Sequence, residues 1–155
     1  MKKSNTYFLL PVLMFLGVST SYAMPNPAAK YCVDQGGKLE SVRTEDGSQM
    51  GLCVFGSAAV EQWTFFRLKK AGKPQAAVSN FCVSHGSLAS DIAHPEAVYC
   101  KTLGGMSVKG IVLGSNATVG LCHFQADNST IEERTLFTGP HFKDNVELNN
   151  VVGCN

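Results

Sequence analysis

The sequence predicts an α+β protein made of two tandem, disulfide-stapled units, each a short helix, a β-hairpin and a second short helix. Two observations predict it. The segment 26–55 recurs as 94–124, with a proline, a Tyr-Cys pair, a glycine pair and Gly-Leu-Cys-x-Phe at matching places. All six cysteines follow a signal-like N-terminus, which is typical of small exported proteins held by disulfides. A repeat kept at prolines, glycines and cysteines indicates a repeated structural unit.

Residues 1–23 have the features of a secretory signal peptide. Two lysines precede an apolar run over 7–18, and Ser21 and Ala23 place small residues where a signal peptidase reads. The run is shorter than the roughly 20 residues that cross a bilayer as a helix. We therefore expect no transmembrane segment after signal removal, and a periplasmic or secreted protein. The remaining chain has a net charge of about −1, because the signal takes two lysines from the formal +1, and predicts no nucleic-acid binding.

The repeat divides the exported chain into two units. The first unit with its linker is predicted to span 24–73. The second spans 74–155 and carries an additional N-terminal helix and a C-terminal tail.

Each unit is predicted to begin with a short helix, over 27–35 and 95–103. Asn26 before Pro27 is a helix start, because the Asn side chain accepts from the first amides and proline lacks an N–H there. His94 does the same less well. The glycine pair after each helix ends it. Helices this short are unstable in isolation, so the cysteine within each is expected to pin it.

A β-hairpin follows each helix. In the first unit the predicted strands are 38–43 and 49–55, joined around an Asp-Gly turn. Alternation places Cys53 on one face with Gly51, whose missing side chain admits a close neighbour, so this face is expected to receive the helix. The in-unit disulfides predicted from this geometry and its repeat are Cys32–Cys53 and Cys100–Cys122.

The last element of each unit is predicted as a helix, over 57–68 and 129–137. Ser129 followed by Glu132 has capping-box spacing. A strand over 63–67 is the alternative.

Residues 76–90 loosely resemble the first helix and predict a further helix that carries Cys82. Its partner by elimination is Cys154. Six cysteines allow fifteen connectivities, among which the repeat symmetry selects these three pairs.

The motif N-P-A-x-x-Y-C-x-x-x-G-G and the later EQWTFFR resemble domain of unknown function family 333, small exported bacterial domains often labelled hemolysins. The resemblance covers 25–67, and more weakly 93–137. Members usually carry two further cysteines, at places that here hold residues such as Ala59 and Leu68. Two cysteines missing together imply one lost bridge, which supports pairing the remaining two in each unit. The label implies a secreted toxin or host-directed factor, yet no spanning or long amphipathic segment offers a route to lysis.

No catalytic or metal-binding constellation emerges, so we expect a non-enzymatic protein without a cofactor. Cys82 and His85 would share a helix face as nucleophile and base, but a disulfide is the favoured interpretation of Cys82. The four histidines lack metal-ligand spacing. Glu61 and the pair Glu132 and Glu133 are interpreted as solvated helix starts.

The expected function is recognition. The loops 44–48 and 110–118 would present to an unknown protein or cell-envelope component, and inhibition of a protease or lysozyme is one form of this hypothesis. A secreted toxin is the alternative, and a hydrolase is least favoured. The basic cluster is interpreted as a solvated linker, with docking to an anionic surface as its alternative; it comprises Arg67, Lys69, Lys70 and Lys73.

Overall fold

The computed structural model describes residues 26–72, 75–84, 86 and 92–154. The predicted signal peptide, 1–23, lies outside these residues, as does His85. The first half of the chain contains α1 (Pro27–Asp34), β1 (Lys38–Thr44), β2 (Gln49–Phe55), β3 (Ala58–Glu61) and α2 (Gln62–Ala71). After α3 (Ala76–Val83), the second half contains α4 (Pro95–Thr102), β4 (Met106–Val112), β5 (Thr118–Phe124), β6 (Ser129–Glu132) and α5 (Glu133–Thr138). The described chain ends in a 3-10 turn (Lys143–Asn145) and α6 (Val146–Val152).

The six strands close into one antiparallel barrel, in the order β1-β2-β3-β6-β5-β4. The halves meet at two seams. At one, β1 pairs with β4, with Val42 opposite Val112; at the other, β3 pairs with β6, with Val60 opposite Ile131. The protein is of the predicted α+β class, and its two halves share one sheet. Closure pairs both edges of each three-stranded segment, which removes the exposed edges that such a segment would otherwise present.

Each half has a third strand where the sequence predicts the start of a helix. The segment 58–61 is buried throughout and pairs with β2, and 129–132 pairs with β5 in the same way. The helices therefore begin later, at Gln62 and Glu133. Pairing along the neighbouring strand satisfies the backbone of this buried run, which explains why it is a strand.

Glutamates cap both of these helices. Glu61 accepts the backbone N–H groups of Trp63 and Thr64 at 2.8 and 2.7 Å. Glu132 accepts the N–H of Thr135 at 2.9 Å. The prediction of Ser129 as the cap is therefore wrong. The interpretation of Glu61 as solvated is also wrong, because the residue is only 8% exposed.

The core has two layers. Inside the barrel lies a small cluster contributed by strands alone, consisting of Val42, Leu52, Ala59 and Leu121. The larger layer lies between the outer face of the sheet and the helices, and includes the cystines of both halves with Phe65, Phe81 and Phe124.

Three disulfides join Cys32 to Cys53, Cys100 to Cys122 and Cys82 to Cys154, the pairs that the sequence predicts. The first two each attach the first helix of a half to its second strand. The glycine pair after each of these helices has two roles. Gly36 has a φ of +87° in the turn, whereas Gly37 leaves room for the cystine, since a Cβ there would lie 2.5 Å from Cys53 Sγ.

Helix α3 is shorter than predicted and is capped from the second half. Gln75 makes no side-chain cap hydrogen bond. Instead, the Asp127 carboxylate accepts the N–H of Ala76 at 2.6 Å, and the Ser129 hydroxyl accepts that of Ala77 at 3.0 Å. The disulfide of this helix then attaches it to the C-terminal tail.

No helix among the described residues combines the length and apolar character needed to traverse a membrane.

Candidate functional site

A cleft of about 700 Å³ lies in the second half, between α4 and the start of α5. Its floor is the outer face of β4 and β5. The polar side chains that line it and matter below are His94, Glu96, Lys101, Ser107, Lys109 and Glu133. We call it the Glu133 cleft.

Glu133 occupies the most buried position in this set. As the first residue of α5, it is turned onto β5, where Gly120 leaves space for it; a Cβ at Gly120 would overlap Glu133 Oε2. The residue is only 7% exposed. Its Oε1 atom is buried and has no hydrogen-bond partner among the described residues. An acceptor left without a donor in this way costs free energy.

Burial raises the pKa of Glu133 above its ordinary value. The Ser107 hydroxyl opposes this effect, the negative charge of Glu96 adds to it, and the positive charge of Lys101 opposes it more weakly. The net effect is a raised pKa, because the neighbouring groups do not fully offset the cost of removing the carboxylate from water.

No salt bridge among the described residues joins two charged groups of the cleft. The salt bridges in the described part of the chain join Lys30 to Asp34 and Arg134 to Asp144, and none of them includes a charged group of the Glu133 cleft other than Arg134 at its edge. The described residues also contain no group of three or more His, Cys, Asp or Glu side chains that could hold a metal ion. The cleft thus presents charges of both signs that form no salt bridge with one another.

The first half has the same geometry without these charges. There Gln62, the first residue of α2, lies over Gly51, where a Cβ would be 2.7 Å from the amide oxygen. Where the second half has Glu96, Lys101, Ser107, Lys109 and Glu133, the first half has Ala28, Val33, Leu39, Ser41 and Gln62. The charges of the cleft are therefore a property of the second half and not a requirement of the fold.

A second cavity, of about 500 Å³, adjoins the cleft at the β1–β4 seam. Lys109 and Thr118 line both cavities. Thr44 and Glu45, from the loop predicted for recognition at 44–48, also line this second cavity. The other predicted loop, 110–118, is shorter in the structure, because β4 extends to Val112 and β5 begins at Thr118.

The other residues singled out from the sequence are not gathered into a site. Cys82 is bonded to Cys154, so it offers no thiol nucleophile. His123 Nδ1 lies 2.9 Å from the Thr130 hydroxyl, away from the Glu133 cleft. Of the histidines, His94 lines the cleft.

The described part of the basic cluster is helical and not a linker, whereas Lys69 and Lys70 are exposed, as predicted for solvated charges. Arg67 donates to the carbonyl oxygen of Asn128 at 2.7 Å. Lys69 and Lys70 belong to the last turn of α2, and their ammonium groups lie over the rings of Tyr31 and Phe66, at 5.2 and 5.8 Å from the centroids. Lys73 lies outside the described residues.

These features define a small α+β protein with a closed six-stranded barrel, in which two disulfides attach a helix to a barrel strand and a third joins α3 to the C-terminal tail. Residues 23–69 match the family model described as Domain of unknown function (DUF333), the family that the sequence resemblance indicates. A second copy in the later half stays a prediction. No curated protein and no solved structure matches the chain.

Proposed function

We propose that this protein is an exported, non-enzymatic binding protein whose partner, a protein or a cell-envelope component, occupies the Glu133 cleft. The observation that carries the proposal is the buried Oε1 atom of Glu133, which lines an open cleft and has no partner among the described residues. A bound ligand would supply the missing donor.

Export is supported by the three disulfides, because such bonds persist in oxidising compartments and are rare in the cytosol. The predicted signal peptide at 1–23 points in the same direction.

One wall and the floor of the cleft are held by a disulfide and by the closed sheet. Helix α4 is attached to β5 by the Cys100–Cys122 bridge, and the floor belongs to the closed barrel. A site held in this way loses little conformational entropy when a ligand binds, so modest contacts suffice for useful affinity. This favours recognition.

A non-enzymatic role is supported by the bonding of Cys82 to Cys154, which removes the nucleophile that the sequence offers as a candidate.

The experiment is affinity capture from a cell-envelope fraction with the oxidised protein. The test variant gives the cleft the residues of the first half, with Glu96→Ala, Lys101→Val, Lys109→Ser and Glu133→Gln. A matched control neutralises four exposed charges of the first half, with Lys30→Gln, Asp34→Asn, Lys38→Gln and Glu40→Gln. We expect one partner to be retained by wild type and control and lost by the cleft variant. Capture that is equal with all three proteins, or lysis of red cells at low concentration, would reject the proposal.

A further inference from the structure

We infer that the Glu133 cleft takes a zwitterionic ligand, in which a primary ammonium or guanidinium group contacts Glu133 and a neighbouring anionic group contacts the lysines of the rim. An α-amino acid, or a longer molecule that ends in one, has this chemistry. The inference rests on the proposed function and names its ligand class.

The acidic residues Glu133 and Glu96 indicate that the ligand carries a cationic group. Glu133 presents a buried oxygen that only a donor can satisfy, and Glu96 on α4 adds a second negative charge that acts on it. A charged N–H donor makes the strongest hydrogen bond to a carboxylate. An apolar ligand would leave Oε1 buried and unpaired, which is costly.

The lysines at the rim of the cleft indicate that the ligand also carries an anionic group. Lys101 on α4 and Lys109 on β4 are exposed, line the same cleft and take part in no salt bridge among the described residues. Lysine ammonium groups bind carboxylate and phosphate as compact point charges. A purely anionic ligand would meet the lysines, but Glu96 and Glu133 would repel it from the floor.

The cavity volume agrees with this class. About 700 Å³ lies within the ordinary range of small-molecule sites and accepts an amino acid together with part of a longer chain.

The test uses amide NMR titrations of the oxidised, exported protein with three probes: L-lysine, n-butylammonium chloride and sodium acetate. We expect L-lysine to give saturable shifts at Ser107, Gly120 and the amides of α4. n-Butylammonium should bind at least about tenfold more weakly, and acetate should give no saturable shift. Acetate binding equal to L-lysine binding, or no saturable shift with any probe, would overturn the inference.

Two variants test whether L-lysine binding depends on the Glu133 carboxylate. Glu133→Gln reproduces Gln62, which the fold already accommodates at the corresponding position, and should weaken L-lysine binding at least about tenfold. Gln62→Glu is the matched control, because it adds a carboxylate at the corresponding position of the first half, which has no lysine where the second half has Lys101 and Lys109. It should leave the L-lysine affinity unchanged. Unaltered binding by Glu133→Gln would overturn the inference.

The two proposals fail separately. If no probe binds while partner capture still depends on the cleft residues, the ligand class is wrong and the binding function stands. If L-lysine binding depends on Glu133 while capture is indifferent to the cleft variant, the ligand class stands and the proposed function is wrong.

Discussion

Thr64 and Thr135 make the same hydrogen bond in opposite directions across the seam between β3 and β6. The hydroxyl of Thr64 accepts the backbone N–H of Thr130 at 2.9 Å, and that of Thr135 accepts the N–H of Ala59 at 3.0 Å. The strand pairing at this seam consists of Val60 opposite Ile131. Such a short ladder needs additional partners for its buried amides, and the two threonines supply them. Each half therefore completes the hydrogen bonding of the other.

Replacing either threonine by valine should destabilise the protein by about 1–3 kcal/mol, because a buried amide loses its acceptor while the shape of the side chain is kept. Urea unfolding of oxidised Thr64→Val and Thr135→Val measures this. Thr118→Val, at an exposed strand position, is the control and should change the free energy of unfolding by less than about 0.5 kcal/mol. Equal stability of all three variants would show that the seam does not depend on these hydroxyls.

Gly37 and Gly105, which pack against the two in-unit cystines, should not tolerate a side chain. A Cβ at Gly37 would lie 2.5 Å from Cys53 Sγ and 2.8 Å from Cys32 Sγ, and Gly105 has the same relation to the second cystine. We expect Gly37→Ala and Gly105→Ala each to cost about 1–3 kcal/mol through overpacking. Gly114→Ala, with open space around it, is the comparison and should be nearly neutral. Thermal unfolding distinguishes them, and costs no greater than that of the comparison variant would contradict the packing described here.

Asp127 should make the stability of the protein sensitive to acid. Burial raises its pKa, but hydrogen bonds from Ser129 and Ala76 and the positive charge of Arg67 outweigh burial, so the net pKa lies below the ordinary 3.8. A depressed pKa contributes stability that is present above pH 3.8 and is lost as the pH falls through the folded-state pKa.

Asp127→Asn should therefore lose about 1–3 kcal/mol at neutral pH and show a weaker dependence of stability on pH below about 4. Asp34→Asn, which removes an exposed carboxylate, is the matched control. The check is the free energy of unfolding at several acidic pH values. If Asp127→Asn keeps the wild-type dependence of the free energy of unfolding on acidic pH, that dependence arises from other groups.

Glu133 should have the opposite effect. Its pKa is raised above the ordinary 4.5, chiefly by burial, so its contribution to stability is fully present below pH 4.5 and is lost as the pH rises through the folded-state pKa. Glu133→Gln should thus be more stable than wild type at neutral pH, by on the order of 1 kcal/mol.

The pH profile of unfolding provides the check on Glu133. Burial also raises the pKa of Glu132, so part of the slope should persist in Glu133→Gln. The exposed Glu147→Gln should follow wild type. Destabilisation by Glu133→Gln at neutral pH would indicate that the carboxylate is satisfied in the unliganded protein.

Several local features are predictable from the sequence because they depend on residues close to one another. The cap by Asn26, whose side chain accepts from Ala28 at 3.0 Å, and the positions of the in-unit cystines are of this kind. The third strands are not. A short buried run such as 58–61 has no periodicity that separates strand from helix, and its amides are satisfied by residues as far away as Thr135, which is 76 positions from Ala59.

The cleft was not predicted from the sequence, for a related reason. Glu133 has the position and type of a solvated helix-start residue, and its burial arises only when α5 lies on Gly120. A usable signal was nevertheless available. Comparing the two halves position by position shows charged residues gathering in the second half where the first has Ala28, Val33 and Ser41.

The measurement that tests the central claim most directly is a carbon-13 carboxyl NMR titration of Glu133, with and without saturating L-lysine. The titratable and charged groups that line the cleft around it are His94, Glu96, Lys101, Lys109, Glu132 and Arg134. We predict a pKa above 4.5 in the unliganded protein and a clear decrease when L-lysine is bound, because the ammonium group stabilises the carboxylate. An ordinary pKa in the unliganded protein, or a raised pKa that L-lysine leaves unchanged, would contradict the assignment of this carboxylate as the ligand-binding group.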